Sequence, residues 1–247
     1  MDRLSLYKGR PLKIDDNLTI RHPTLDEIEE LNFSFGNDIY RQYIHTLTLS
    51  PIDIADILWC DMKIWYKEVN AWDMFIQLVA TDPTMLDSLS WFCGQEVALY
   101  CNENKEIVLF LPNTNYFITE HTYMYISQFL RQINYVSSPK LNKDVEKAGN
   151  KLTAKYLLEK QNARRKREVK EDVQIDLASI ASLLQWEGKK GDEIWSYPIY
   201  RIYEGYMRLN LSDNYHKTMI GYYSGNLDLS KSKIDLDKLN WSQIIKF

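Results

Sequence analysis

The chain has 247 residues, enough for one large domain or two small ones, and its 45% apolar and 26% charged content is that of a folded globular protein rather than a disordered one. A net charge of -4 supplies no overall positive field, which argues against a protein that coats nucleic acid or an anionic membrane. No apolar leader follows Met1 and no run approaches the roughly 18 consecutive apolar residues of a membrane span, so a cytosolic protein is expected.

Residues 4–20 read as short extended pieces. Gly9, Pro11, Asp15, Asp16 and Asn17 carry turn chemistry around Leu12, Lys13 and Ile14 and around Leu18, Thr19 and Ile20, which predicts a small hairpin. Thr24 and Glu27 then form a capping-box pair, in which the Thr hydroxyl accepts an amide bond and the Glu reaches back, so a helix is expected to start there and run to about Leu31. Ser50 and Pro51 repeat the start signal, and Ala55, Leu58, Trp59, Met62, Trp65 and Tyr66 recur at helical steps as one buried face. A further helix opens at Asn70 with Trp72, Phe75, Ile76 and Val79 as its stripe, and Asp82 before Pro83 stops it.

Residues 96–100 and 106–111 are β-prone runs around a polar turn, a second hairpin. From Thr119 the spacing of Tyr123, Ile126, Leu130 and Ile133 predicts a helix that ends near Ser137, Ser138 and Pro139. Residues 144–172 begin amphipathic with Val145, Ala148, Leu152 and Tyr156, then lose their apolar face after Leu158, which makes 159–172 the expected hinge or arm. Val173, Leu177, Ile180 and Leu184 restore a stripe as far as Gly188. The last helix is expected from Ser196, Tyr197 and Pro198, carrying Ile199, Ile202, Tyr203, Tyr206 and Leu209 and continuing to Ser224, Gly225 and Asn226, with Leu236, Leu239 and Trp241 folding back. The fold class expected is therefore α+β and mainly α-helical, a bundle-like body with small N-terminal and central β-hairpins. Its parts are an N-terminal α+β domain (1–142), a charged helical arm or linker (143–172) and a C-terminal helical region packing back on the body (173–247).

The chemistry of a catalytic or cofactor site is not legible. His22, His45, His121 and His216 are far apart and share no metal-ligand spacing, and Cys60, Cys93 and Cys101 are odd in number and set among apolar neighbours, as reduced core thiols would be. Nine glycines form neither of the phosphate-cradling patterns, and no nucleophile elbow occurs. Asp26, Glu27, Glu29 and Glu30 sit at a helix start, where they favour the dipole. No catalytic, cofactor or metal residue is assigned, and a non-enzymatic protein is expected.

Two features point outward instead. Residues 151–170 hold eight cations (Lys151, Lys155, Lys160, Arg164, Arg165, Lys166, Arg167 and Lys170) against Glu159 and Glu168, a local charge of +6. This reads as a solvated helix or linker, an arm for an acidic protein partner, or a phosphate-contacting surface, the last disfavoured because only Tyr156 is there to stack on bases. Tyr197, Tyr200, Tyr203, Tyr206, Tyr215, Tyr222 and Tyr223 crowd the last helix, where core packing competes with a partner-binding groove. Arg164, Arg165, Lys166, Arg167, Tyr200, Tyr203 and Tyr206 are thus the candidate protein-binding residues.

The segments PLKIDDNLTIRHPTLDEIEEL (11–31), LTLSPIDIADILWCDMKIWYKEVNAWDMF (47–75) and MIGYYSGNLDLSKSKIDLDKLNW (219–241), with the hairpin and charged arm between them, resemble long-tailed bacteriophage and prophage proteins encoded in the tail gene cluster near the tape-measure gene. The resemblance lies in order and texture over nearly the whole chain and includes no catalytic signature. It implies a tail assembly chaperone in the host bacterial cytoplasm, which holds the tape-measure protein and helps tail-tube subunits polymerise around it, with no membrane contact. It carries over no functional residue. Chaperones of this kind are often shorter or made as a frameshifted pair, which keeps a structural component of the virion tail as the alternative.

Overall fold

The computed structural model describes residues 2–36, 38–101, 107–138, 140–167, 176–187, 191–228, 232, 234–240 and 242. Mainly helical, with two small antiparallel sheets, it is the α+β class expected. In chain order the elements are α1 (Arg3–Tyr7), β1 (Leu12–Lys13), β2 (Thr19–Ile20), α2 (Leu25–Phe35), α3 (Ile39–Thr48), α4 (Ala55–Met62), a 3-10 turn (Tyr66–Glu68), α5 (Ala71–Thr81) and α6 (Met85–Cys93). There follow β3 (Ala98–Cys101), β4 (Ile107–Leu111), β5 (Tyr116–Ile118), α7 (Glu120–Ile133), α8 (Lys143–Glu146), α9 (Lys151–Arg167), α10 (Leu177–Trp186), α11 (Gly191–Trp195), α12 (Ile199–Tyr223) and a final 3-10 turn (Leu236–Leu239).

Several starts and stops follow local chemistry. At α2 the Thr24 hydroxyl accepts the Glu27 N–H while the Glu27 carboxylate accepts the Thr24 N–H, a complete capping box. Asn70 and Thr119 cap α5 and α7 in the same way through single side-chain bonds. Other expectations need correction. Residues 3–7 are helical rather than extended, because the Asp2 carboxylate accepts the Leu4 and Ser5 amides and caps a short turn. Helix α2 continues past Leu31 to Phe35, and α3 and α6 were not anticipated.

The Pro51 signal opens turns rather than a helix, and α4 ends at left-handed Lys63 (φ 60°). Trp65 and Tyr66 consequently lie beyond the α4 stripe, and Met62 is exposed. A third strand, β5, joins the central hairpin in register Phe110 to Phe117, after a turn through Asn115 at φ 52°. The expectation of core thiols holds for Cys93 alone, since Cys60 is half-buried and Cys101 is exposed at the end of β3. Val173, Gly188, Lys189, Lys190 and Trp241, and with them the rest of the expected hinge from 168 to 172, fall outside the described residues.

The main core is built around α7, whose buried Tyr123, Ile126, Phe129, Leu130 and Ile133 repeat at steps of three and four. Phe75 of α5 stacks on Tyr123 at 4.7 Å between ring centroids, and α3 and α12 cover the other sides of α7. The same core takes Leu6, Ile20, Leu25 and Ile28 from the N-terminal part and Ile180, Leu184, Ile194, Ile199, Tyr200 and Ile202 from the C-terminal part. Helix α10 lies so close to α12 that a Cβ on Gly205 would come within 3.2 Å of Leu184 Cδ2. A second, smaller cluster joins Ala55, Leu58 and Tyr66 to Val145, Ala154 and Leu158, so α8 and α9 pack on α4 rather than on the main body.

Gly9 sits at φ +71° with Pro198 filling the space where a Cβ would point. Gly9→Ala is expected to destabilise the chain by about 2 kcal/mol through strain and overpacking, read as a lowered urea midpoint at unchanged slope.

Candidate protein-binding surfaces

The starts of α2 and α12 are stitched together. Each helix begins with amide groups that have no partner within the helix, and here each is served by the segment preceding the other. The Leu25 N–H donates to the Tyr197 carbonyl at 3.1 Å and the Ile199 N–H donates to the Pro23 carbonyl at 2.9 Å, forming a one-pair antiparallel bridge between Thr24 and Pro198. Beside it His22 is buried, its Nε2 accepting from the Tyr200 N–H at 3.4 Å and its ring edge-on to Phe129. Burial pushes the His22 pKa down to about 4, against a weaker pull from the Arg10 backbone.

One turn further along α12 lies Glu204, only 3% exposed. Its carboxylate accepts from Arg208 Nε at 2.8 Å, from Arg3 of α1, and from the hydroxyl of Tyr135, a residue just past α7 held at φ 57°. Burial by itself raises the Glu204 pKa, yet the hydrogen bonds from Tyr135, Arg208 and Arg3 outweigh it and hold the group below the ordinary carboxylate range. The Tyr135 hydroxyl moves the other way, raised by burial and by donating to this carboxylate. The cluster locks three elements together through one anion.

The predicted tyrosines are placed by this junction. Tyr200 is buried in the main core, its ring 5.3 Å from that of Tyr135, and so offers no surface. Tyr203 and Tyr206 are half-buried against the same core. The aromatic side chains that do face outward on α12 are Tyr222 and Tyr223 at its far end, together with Ile220.

The cationic run is also partly used within the chain. Arg165 Nη2 lies 3.0 Å from Asp56, a carboxylate only 1% exposed on α4. Lys151 pairs with Glu68 at 3.0 Å and Lys166 with Asp61 at 3.7 Å. Lys155 stands 3.6 Å from the ring centroid of Trp59, whose Nε1–H donates to Glu159 at 3.1 Å. Lys160, Arg164 and Arg167 make no ion pair among the described residues. Within α9 the expected stripe of Leu152 and Tyr156 is exposed, and the buried positions are Ala154, Leu158 and Asn162. On the α9 side, burying Leu158 contributes about 2 kcal/mol and Ala154 less, the exposed pairs of Lys151 and Lys166 add between 0 and about 1 kcal/mol each, and Arg165 keeps the buried Asp56 carboxylate from standing uncompensated.

Large apolar side chains stand in solvent at many points of the surface, among them a cleft beside α2 and the outer face of the three-stranded sheet. Phe33, 87% exposed on α2, and Trp195 at the end of α11 flank a cleft of about 300 Å³ floored by Leu25, Ile28 and Ala181, with Leu177 and Ala178 of α10 on the opposite wall. The sequence reading missed Phe33 because it ended α2 at Leu31. On the outer face of the three-stranded sheet, Tyr100 of β3, Phe110 of β4 and Phe117 of β5 meet with ring centroids 5.0 to 6.1 Å apart. Among the described residues, no three or more His, Cys, Asp or Glu side chains gather where a metal could bind, and no helix is long and apolar enough to cross a membrane.

Residues 166–246 match the family model of the YomV second domain, a phage-associated family. No curated protein and no solved structure matches the chain. The matched third begins in the last turn of α9 and includes α10, α11 and α12, whose buried residues belong to the core shared with α2 and α7.

Two outcomes follow for stability. His22 is held neutral in the fold and takes up a proton more readily when unfolded. Its contribution of about 3 kcal/mol is thus fully present above pH 6.5 and lost as the pH falls to about 4. His22→Gln should flatten urea-measured stability across that window. Glu204 works in the more acid range, since a depressed carboxyl pKa stabilises above the ordinary Glu value of 4.5 and stops doing so as the pH drops through its own lower value. At pH 7, Glu204→Gln is expected to cost about 2 to 3 kcal/mol in the same assay, because Arg3 and Arg208 lose their shared anion.

Proposed function

We propose that this chain is a non-enzymatic phage tail assembly chaperone that binds the tape-measure and tail-tube proteins in the host cytoplasm. The observation that carries the reading is the cleft between α2 and α10, with Phe33 and Trp195 standing in solvent at its edges. Exposed aromatics beside a narrow apolar floor are what a protein uses to receive the apolar face of a client helix, with Trp and Phe as anchors. The phage-associated match over 166–246 and the resemblance of the whole chain to tail-cluster proteins support the same direction. Against a phosphate-binding reading of the basic run, Lys151, Lys155, Arg165 and Lys166 are engaged with acids and a Trp ring of the same chain.

Co-expression of the chain with the tape-measure and tail-tube proteins, followed by affinity capture, tests the reading. Capture of either tail protein is expected, and Phe33→Ala with Trp195→Ala should weaken it by about tenfold or more, as removal of two interface anchors does. No association with either protein sinks it. Mass spectrometry of purified virions separates the alternative: an assembly factor is absent from them, whereas a structural tail component is present in stoichiometric amount.

A further inference from the structure

We infer that the cleft between α12, α10 and α1 is a binding site for a carboxylate carrying an apolar group, with Arg201 holding the anion. The cleft encloses about 390 Å³, within the range of roughly 300 to 1,000 Å³ that small-ligand sites occupy. Leu184 of α10, Ile194 of α11 and Leu209 of α12 give it an apolar floor, and Gly205, one turn on from Arg201, adds no side chain to it. Arg201 stands half-buried in the first turn of α12. Its guanidinium lies 3.6 Å from the ring centroid of Tyr197 and 5.2 Å from that of Tyr7, and both tyrosines line the same cleft. Stacking of this kind fixes the plane of the donor fork before any ligand arrives, so little side-chain freedom is left to lose on binding.

The charge of Arg201 is not spent inside the chain. Among the described residues its guanidinium makes no ion pair and donates to no side chain or carbonyl, and its partners are the two rings. The neighbouring charges lean the same way: Arg3 and Arg208 share the single Glu204 carboxylate, and Arg208 also lines the cleft. Glu187 at the rim is exposed, as is Glu193, which accepts from the Tyr197 hydroxyl at 3.5 Å, and neither pairs with Arg201. One carboxylate can accept two parallel N–H bonds from the fork while its apolar group covers Leu184, Ile194 and Leu209. A phosphate would bring up to about two charges toward Glu187, with one uncommitted guanidinium to meet them. The inference is independent of the tail-assembly reading, since this cleft shares no lining residue with the one beside Phe33.

The test titrates two probes into the full chain by isothermal calorimetry: 3-phenylpropionate as a free acid, and an acetylated tetrapeptide ending in phenylalanine with its terminal carboxylate intact. At least one should bind with a dissociation constant of about 1 mM or tighter. The uncharged analogue 3-phenylpropan-1-ol should bind at least tenfold more weakly than the acid. Arg201→Gln strands no acid, so the variant should keep its circular dichroism and melting temperature while losing at least tenfold in affinity. Similar affinities for the two probes assign the site to small apolar acids. Tenfold tighter binding of the tetrapeptide, lost when its terminus is amidated, assigns it to the end of a polypeptide, and both results uphold the inference. It is overturned if neither probe saturates the chain by about 10 mM, if the alcohol binds as well as the acid, or if folded Arg201→Gln binds as before. Should that variant not fold, the comparison of acid with alcohol on the unmodified chain decides alone.

Discussion

A single buried carboxylate organises the C-terminal half of this protein against the rest. An unpaired Glu204 inside the body would cost several kcal/mol, so its position is tolerable only while Arg3, Arg208 and Tyr135 are all present to serve it. Those groups come from the first helix, from the turn after the central helix and from α12 itself. Any displacement of α12 along α7 would strand the charge, and the stitch between the starts of α2 and α12 holds the same register from the backbone side. The polar network and the backbone bridge together specify one arrangement where apolar packing of Tyr200, Ile199 and Ile202 would tolerate small slides.

The second cluster follows a different logic. It buries Ala55, Leu58, Tyr66, Val145, Ala154 and Leu158, and around that apolar centre stand the Lys151–Glu68 and Lys166–Asp61 pairs and Lys155 on the Trp59 ring. Three of the eight cations of the basic run, Lys151, Arg165 and Lys166, are matched in this way by acids between positions 56 and 68.

The outward-facing apolar groups divide the surface into zones. The cleft beside Phe33 and Trp195 has the concavity that a helix or an isolated side chain requires, whereas the Tyr100, Phe110 and Phe117 face is an exposed sheet surface.

The elements that the sequence determined alone were those written in local chemistry. The capping box at Thr24, the caps at Asn70 and Thr119, the stripes of α5, α7 and α12 and the two hairpins all depend on residues within a few positions of each other, and periodicity or a cap reports such features directly. Tertiary structure decided the rest. The contact face of α9 is hard to find by apolar spacing because Ala154 and Leu158 share it with Lys155, Asn162 and Arg165, and Tyr200 became core rather than surface only because α7 and Tyr135 cover it. Asp56 and Arg165, or Arg3 and Glu204, stand more than a hundred residues apart, and a charge in a linear chain carries no mark of the opposite charge that the fold will bring within 3 Å.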